Sequence, residues 1–125
     1  MAFGSVPPPF CSNYFQKSLR GKSDRLLGEA KIYSSPSYHI KGISQLLGRY
    51  TTGNETQGLM ISYVRKKDIK GITAKLKTAL NEQRPEGQIE PCGDHTLKWS
   101  IVTKHQHSSG EVLPLSHIGC NLHDA

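Results

Sequence analysis

The chain has 125 residues, a formal net charge of +6 and 35% hydrophobic residues. This length predicts one domain with a single modest core. No apolar run reaches the ~18–20 residues that a transmembrane helix needs, so we expect a soluble chain whose membrane contacts would be peripheral. The positive charge favours an anionic partner, and it fits nucleic acid and anionic lipid equally well.

Residues 1–24 combine glycines, prolines, serines and basic residues without sustained periodicity, which predicts a flexible basic arm. The arm contains a proline run followed by an aromatic residue, a preformed extended peptide of the kind that aromatic-lined grooves bind. This segment comprises Val6, Pro7, Pro8, Pro9 and Phe10. We expect the globular domain to span 25–118 and a tail to span 119–125.

The first predicted elements are a strand and a helix. Alternation of apolar and polar residues predicts a strand over 29–34, with Ala30 and Ile32 on its apolar face. Pro36 should end the strand, and Ser37 should cap a helix. The apolar residues of that helix recur at three- and four-residue steps. They are Ile40, Ile43, Leu46, Leu47 and Tyr50.

A β-rich run at 59–65 predicts the next strand, and Asp68 is a good N-cap for a second helix over 68–83. The second helix carries an apolar stripe and should end at Arg84-Pro85. The stripe is Ile69, Ile72, Leu76, Ala79 and Leu80. Further strands are predicted at 96–104 and 112–115, the last at a sheet edge because it contains Pro114. The predicted fold class is α+β, with a mainly antiparallel sheet packed against two helices and a disordered N-terminal arm.

Basic residues concentrate in two groups. Between positions 65 and 77 six positive charges face one acidic residue, Asp68. These six are Arg65, Lys66, Lys67, Lys70, Lys75 and Lys77. The second group is Lys17, Arg20, Lys22, Arg25 and Lys31. An ordinary solvated helix face is one interpretation. The excess of one sign favours a contact with phosphates or lipid headgroups, without base stacking, because aromatic residues are not interleaved.

The six histidines raise the question of metal binding. His117, Cys120 and His123 are evenly spaced, and Cys92 with His95 forms another close pair. No tight Cys-x-x-Cys pair accompanies them, so we expect surface or loop histidines and no zinc. The three cysteines, the third being Cys11, are scattered and odd in number, which favours a reducing compartment.

His105-Gln106-His107 resembles the metal-binding strand of rolling-circle nucleases. Gln106 is polar where that site needs a buried residue, and Ser108 begins a turn directly afterwards. A hairpin turn explains the pattern better. No phosphate loop, nucleophile elbow or close carboxylate pair is present in the sequence, so we expect neither an enzyme nor a bound cofactor.

Several of these features together resemble rhabdovirus matrix proteins of the lyssavirus type. The resemblance rests on the proline run, the strand beginning Gly28-Glu29-Ala30-Lys31-Ile32, the turn at 35–38 and the helix with Leu46-Leu47. It spans roughly 7–118 and is strongest at 28–50. Family members are longer, and their late motif Pro-Pro-x-Tyr ends here in Phe10.

The resemblance implies a non-enzymatic protein that lines the inner face of a viral envelope, self-associates and promotes assembly and budding. Implied partners are further copies of the chain, an anionic membrane surface and the viral ribonucleoprotein, with a host WW-domain protein as a further candidate. The implied locations are the virion and the host cytoplasm and membrane periphery.

Two other classes of function compete with this interpretation. The first is a small basic RNA-binding viral accessory protein, for example a suppressor of host defence. The second is a nuclease or a zinc-dependent protein. A test of acidic-liposome binding with RNA competition separates the matrix and RNA-binding interpretations.

Overall fold

A computed structural model describes residues 13–18, 25–49, 55–106 and 109–123. The α+β class is confirmed. The strands are β1 (Asn13–Ser18), β2 (Arg25–Ile32), β3 (Gln57–Val64), β4 (Gly93–Asp94), β5 (Ile101–Gln106) and β6 (Val112–Asn121). The helices are α1 (Pro36–Arg49), between β2 and β3, and α2 (Ile69–Gln83), after β3; a 3₁₀ turn, Pro85–Gly87, follows α2.

The six strands form one mixed sheet in the order β1-β2-β3-β6-β5-β4. The central ladders, β2 with β3 and β3 with β6, are parallel, and the three outer ladders are antiparallel. Helix α1 connects β2 to β3, and α2 lies in the longer connection from β3 to β6. The two helices contact each other and share one core with the sheet. The carboxyl ends of β2, β3 and β6 therefore meet at one edge of the molecule.

Helix α1 begins after a cap that differs from the predicted one. The Oγ of Ser35, two residues before the expected Ser37, accepts a hydrogen bond from the Tyr38 N–H at 3.1 Å. Ile43 and Leu46 are fully buried beneath the helix, and Ile40 and Leu47 pack against the same core. The predicted apolar face is thus confirmed within the described part of α1.

Helix α2 follows its sequence signals closely. The Asp68 carboxylate accepts a hydrogen bond from the Gly71 N–H at 3.0 Å, as a capping residue should. Ile69, Leu76 and Leu80 are buried against the sheet, and the helix ends at Gln83, before Arg84-Pro85. The left-handed backbone of Arg84 closes it, with its N–H bonded to the Leu80 carbonyl.

The folded part extends beyond the predicted boundaries at both ends. Residues 13–18, predicted to belong to the flexible arm, form β1 and pair with β2 from Asn13↔Ala30 to Ser18↔Arg25. Residues 119–121, predicted to belong to the tail, continue β6 and pair with 62–64 of β3. The Leu122 N–H also donates to the Val64 carbonyl at 2.8 Å.

Two strand predictions near the C-terminus need correction. Positions 96–99 are a turn, in which Leu97 is 54% exposed and Trp99 has a φ of 58°, so β5 begins only at Ile101. Strand β6 is central instead of lying at an edge. It tolerates Pro114 because its ladder with β3 starts one residue later, at Leu115, so the missing N–H is not required there.

Both helices are short, at 14 and 15 residues. Within the described ranges, no helix is long and apolar enough to cross a membrane.

Candidate functional site

A basic cleft lies at the carboxyl ends of β2 and β3. One wall is residues 33–36, the connection from β2 to α1, and the other is residues 66–68 with the first turns of α2. The cleft has a volume of about 290 Å³. Ligands of open sheets with parallel strands commonly bind at this end of the strands, because the loops there leave a crevice.

Three lysines line the cleft: Lys66, Lys67 and Lys75. The Lys66 ammonium donates a 2.6 Å hydrogen bond to the Ser34 carbonyl and so joins the two walls. Neither Lys67 nor Lys75 forms an ion pair within the described ranges of the chain. Asp68 is the single carboxylate in the lining, and it caps α2. Three ammonium groups against one carboxylate make the cleft a positive site.

The structure divides the predicted basic surface of residues 65–77. Lys70 and Lys77 line a separate groove on the other side of α2, together with Lys98 and Asp94. Lys77 is 3.0 Å from the Asp94 carboxylate, and this exposed pair neutralises part of the second groove. Arg65 is exposed beside the cleft lining. Only half of the six predicted basic residues therefore converge on one cleft.

Of the second predicted basic group, the structure describes the side chain of Lys31 alone. Lys17 lies in β1 and Arg25 lies in β2. The structure gives the backbone pairing of these two positions but does not describe their side chains. Arg20 and Lys22 fall outside the described residues, as do the late-motif-like residues Val6, Pro7, Pro8, Pro9 and Phe10. Lys31 was predicted to face an anionic partner, and this prediction is wrong because Lys31 is only 2% exposed.

Lys31 points into the core because α1 provides acceptors for it. Its ammonium donates to the carbonyls of Tyr38, at 2.9 Å, and His39, at 3.4 Å. A side chain at Gly42 would collide with this ammonium, so the glycine that weakens α1 also makes room for Lys31. Burial lowers the pKa of Lys31 to about 8, and the buried Glu29 carboxylate on the same strand face opposes that shift.

Ile32 was predicted to lie on the buried face of β2, and this prediction is wrong. Lys31 and Tyr33 are buried, whereas Ile32 is 45% exposed; Ala30 is buried as expected.

A chain of hydrogen bonds crosses the core beneath the helices. His39 Nδ1 is 3.2 Å from Ser62 Oγ, and His39 Nε2 is 2.8 Å from His117 Nδ1. His117 Nε2 is 2.8 Å from Thr103 Oγ1, which is 2.7 Å from His105 Nε2. The chain links α1, β3, β6 and β5, and every one of its five side chains is buried.

Backbone carbonyls fix the direction of this chain. His105 Nδ1 lies 3.0 Å from the Pro85 oxygen and 3.1 Å from the Glu86 oxygen, and carbonyl oxygens can only accept. His105 Nδ1 must therefore carry a proton, and in the neutral imidazole Nε2 accepts from Thr103. It follows that His117 and His39 are protonated at Nε2 and that the Ser62 hydroxyl donates to His39. All three imidazoles are neutral in this arrangement.

Burial also favours the neutral imidazoles. It lowers the pKa of His117 to about 3, helped by the charges of His105 and Lys31 when these are protonated. Burial is likewise the main reason that the pKa of His39 lies well below its ordinary value, with His117 and Lys31 adding to the effect. The pKa of His105 is lowered by burial, against the opposing pull of the two carbonyls.

The expectation that the histidines lie on the surface or in loops is wrong for His39, His105 and His117. Strict alternation could have revealed two of them, since Ile101-Thr103-His105 and Leu113-Leu115-His117 each continue one core-facing row. Nothing local identifies His39. Among the described residues, no group of three or more His, Cys, Asp or Glu side chains is placed to hold a metal ion.

A small cavity, with a volume of about 20 Å³, borders the hydrogen-bond chain at Ser62, His39 and His117. That space holds about one water molecule, whereas small-molecule sites typically have ~300–1,000 Å³. The cavity is therefore too small for an ordinary small-molecule substrate, and we expect the hydrogen-bond chain to have a structural role. Tyr33 and Ile72 line both this cavity and the basic cleft, so the two spaces are adjacent.

This protein matches no protein-family model, no curated protein and no solved structure. The resemblance to rhabdovirus matrix proteins therefore stays a hypothesis.

Proposed function

We propose that this is a non-enzymatic, matrix-type assembly protein that binds an anionic membrane surface through the basic cleft. The observation that carries the proposal is the convergence of Lys66, Lys67 and Lys75 on one cleft, of which Lys67 and Lys75 have no ion-pair partner within the described residues. A lysine near an anionic bilayer contributes about 1 kcal/mol of binding free energy. Three such lysines give peripheral, salt-sensitive attachment.

The local architecture agrees with this kind of attachment. The cleft opens between two turns, and Lys67, Asp68 and Lys75 around it are exposed. A flat or convex anionic surface can approach such a rim without entering the core. Binding to the ribonucleoprotein and self-association belong to the same proposal, and they are supported by the resemblance of residues 28–50, which form most of β2 and α1.

Vesicle flotation tests the proposal. The full chain should float with vesicles that contain phosphatidylserine and should stay at the bottom of the gradient with purely zwitterionic vesicles. Flotation should weaken as salt rises, because screening shortens the range of the lysine charges. Failure to float with acidic vesicles at physiological salt would contradict the proposal.

An RNA-competition arm separates lipid from nucleic acid. Excess single-stranded RNA should leave flotation with acidic vesicles largely intact if lipid is the main anionic partner. If RNA displaces the protein from vesicles at equal charge concentration, the cleft is a nucleic-acid contact instead. That outcome favours the small RNA-binding viral protein over the matrix-type protein.

A further inference from the structure

The cleft offers more than diffuse positive charge, because its donors are arranged around one concave space. Lys66 is held in place by its hydrogen bond to the Ser34 carbonyl. The Ser35 hydroxyl oxygen already accepts the Tyr38 N–H, so its own hydrogen remains available to a ligand. Ammonium and hydroxyl donors thus face the same space of about 290 Å³.

We propose that this cleft is a specific site for a phosphomonoester group, as carried by a polyphosphoinositide headgroup. The inference rests on the proposed function, since it names the lipid chemistry that the same cleft would select. A phosphomonoester carries about −1.5 to −2 charges at neutral pH and three strong acceptor oxygens. Those acceptors match the three ammonium groups better than a single carboxylate does, and lysine binds phosphate as a compact point charge.

The volume of the cleft limits the ligand to a small group. About 290 Å³ lies at the lower end of the ~300–1,000 Å³ of ordinary small-ligand clefts. One headgroup fits, whereas a polynucleotide could place only one terminal phosphate there. Each protein molecule should therefore bind one headgroup, in contrast to the many lipids neutralised in diffuse attraction.

The negative charge of Asp68 allows a second test of the site, in which a substitution should strengthen phosphate binding instead of weakening it. Its carboxylate is the single negative group in the cleft lining, and it also caps α2 through Gly71. Asp68→Asn keeps an oxygen that can accept the Gly71 N–H and removes the charge. This variant should bind the phosphate group more tightly, about fivefold if the change equals one nearby charge.

The experiment measures calorimetric binding of inositol trisphosphate to the full chain, with inorganic phosphate as a second probe. We expect one site per chain. Lys75→Gln should weaken binding about fivefold, and Lys41→Gln, at an exposed position of α1 outside the cleft, should leave it unchanged. Equal binding by the two glutamine variants would overturn the assignment to this cleft.

A vesicle arm distinguishes this proposal from the proposed function. Vesicles with phosphatidylinositol bisphosphate should float more protein than phosphatidylserine vesicles of equal total negative charge. Equal flotation together with no binding of the soluble probe would overturn the phosphomonoester site and leave general anionic attachment intact. Binding of the soluble probe without flotation on either vesicle would support the site for a soluble phosphate ester and contradict the membrane function.

Discussion

Three of the six histidines lie inside the domain, and each of their ring nitrogens has a hydrogen-bond partner. A further proton on His117 would place an N–H against the Nε2–H of His39 in this arrangement, and burial disfavours the charge that the proton adds. Neutral imidazoles are therefore a condition of this packing. Because the packing needs neutral imidazoles, the polar core should be stable near neutral pH and should lose stability in acid.

The pH dependence of stability follows with a definite sign. Because the folded-state pKa values of His39 and His117 lie below the ordinary 6.5, the unfolded chain binds more protons in acid, and stability falls as pH falls below about 6.5. The loss continues towards the folded pKa, which is about 3 for His117. At pH 5 the His117 imidazole alone costs about 2 kcal/mol of the ~5–15 kcal/mol of a typical domain, and His39 adds a loss of the same sign.

Urea unfolding between about pH 7.5 and about pH 5 measures this effect. The titration of Lys31, whose pKa is lowered to about 8, lies above this window and does not compete. His123→Ala, at a partly exposed position near the C-terminus, is a control that should keep the slope. Stability that stays constant across the range would show that the three imidazoles are not buried and neutral.

Thr103 is the centre of the hydrogen-bond chain, since its hydroxyl accepts from His117 and donates to His105. Thr103→Val keeps the shape but leaves two buried ring nitrogens without partners, which should cost about 2–4 kcal/mol of unfolding free energy. Thr78→Val is the matched control. Among the described residues, the Thr78 hydroxyl bonds only the Ala74 carbonyl on the exposed side of α2, so we expect little change.

Denaturant midpoints of the two valine variants give the comparison directly. If Thr103→Val proved as stable as Thr78→Val, the chain of hydrogen bonds would contribute nothing to the core.

At the scale of elements, α2 was predictable because its signals are local. Asp68 caps it and Arg84-Pro85 ends it, and the apolar stripe between them has the helical period. The turn at 96–99 was not predictable in this way, because Leu97, Trp99 and Ile101 imitate the alternation of a strand. The positive φ of Trp99 and the exposure of Leu97 separate the turn from β5, and neither can be read from the local sequence.

The pairing of β3 with β6 and the buried side of β2 had no local signal either. Parallel pairing joins residues more than fifty positions apart, such as Gly58 and Leu115. A lysine at position 31 suggests a solvated face of the strand. Its burial depends on two carbonyls of α1, which accept from its ammonium only in the folded structure. The basic cleft was predicted as a charged segment, but its division by α2 required the structure.

The cap of α2 provides a prediction at this scale. Asp68→Ala removes the acceptor of the Gly71 N–H and places alanine at a φ of 64°, where alanine is strained. We expect a loss of about 1–2 kcal/mol of unfolding free energy, measured by denaturant titration. Asp68→Asn, which keeps both the acceptor and a tolerance for left-handed backbone, should retain most of the stability. Equal losses in the two variants would contradict the capping role.

At the scale of the whole molecule, self-association through Val6, Pro7, Pro8, Pro9 and Phe10 stays a prediction. The structure changes how it must be tested, because residues 13–18 form β1 and cannot be removed without opening the sheet. A variant that lacks only residues 1–10 keeps this strand. Sedimentation over a range of concentrations should show association of the full chain and its loss in the shortened one.

Association of equal strength in both chains would place the interface on the folded domain. A full-length variant with Val6→Ser and Phe10→Ser serves as a second comparison, because it keeps the chain length and removes only two apolar side chains.

In the proposed function the cleft, and not net charge alone, attaches the protein to anionic membranes. Lys67→Glu with Lys75→Glu reverses two cleft charges, and Lys41→Glu with Lys98→Glu reverses two exposed charges outside the cleft. Each pair lowers the formal net charge from +6 to +2, since each change subtracts two charges. Lys66 stays in place because it joins the walls of the cleft.

Flotation of these two variants with phosphatidylserine vesicles is the most direct measurement. The cleft variant should bind at least about thirtyfold more weakly than the parent chain, which corresponds to about 1 kcal/mol for each lysine, while the control variant should lose much less. Equal losses in the two variants would show that net charge alone governs attachment and would contradict the role proposed for the cleft.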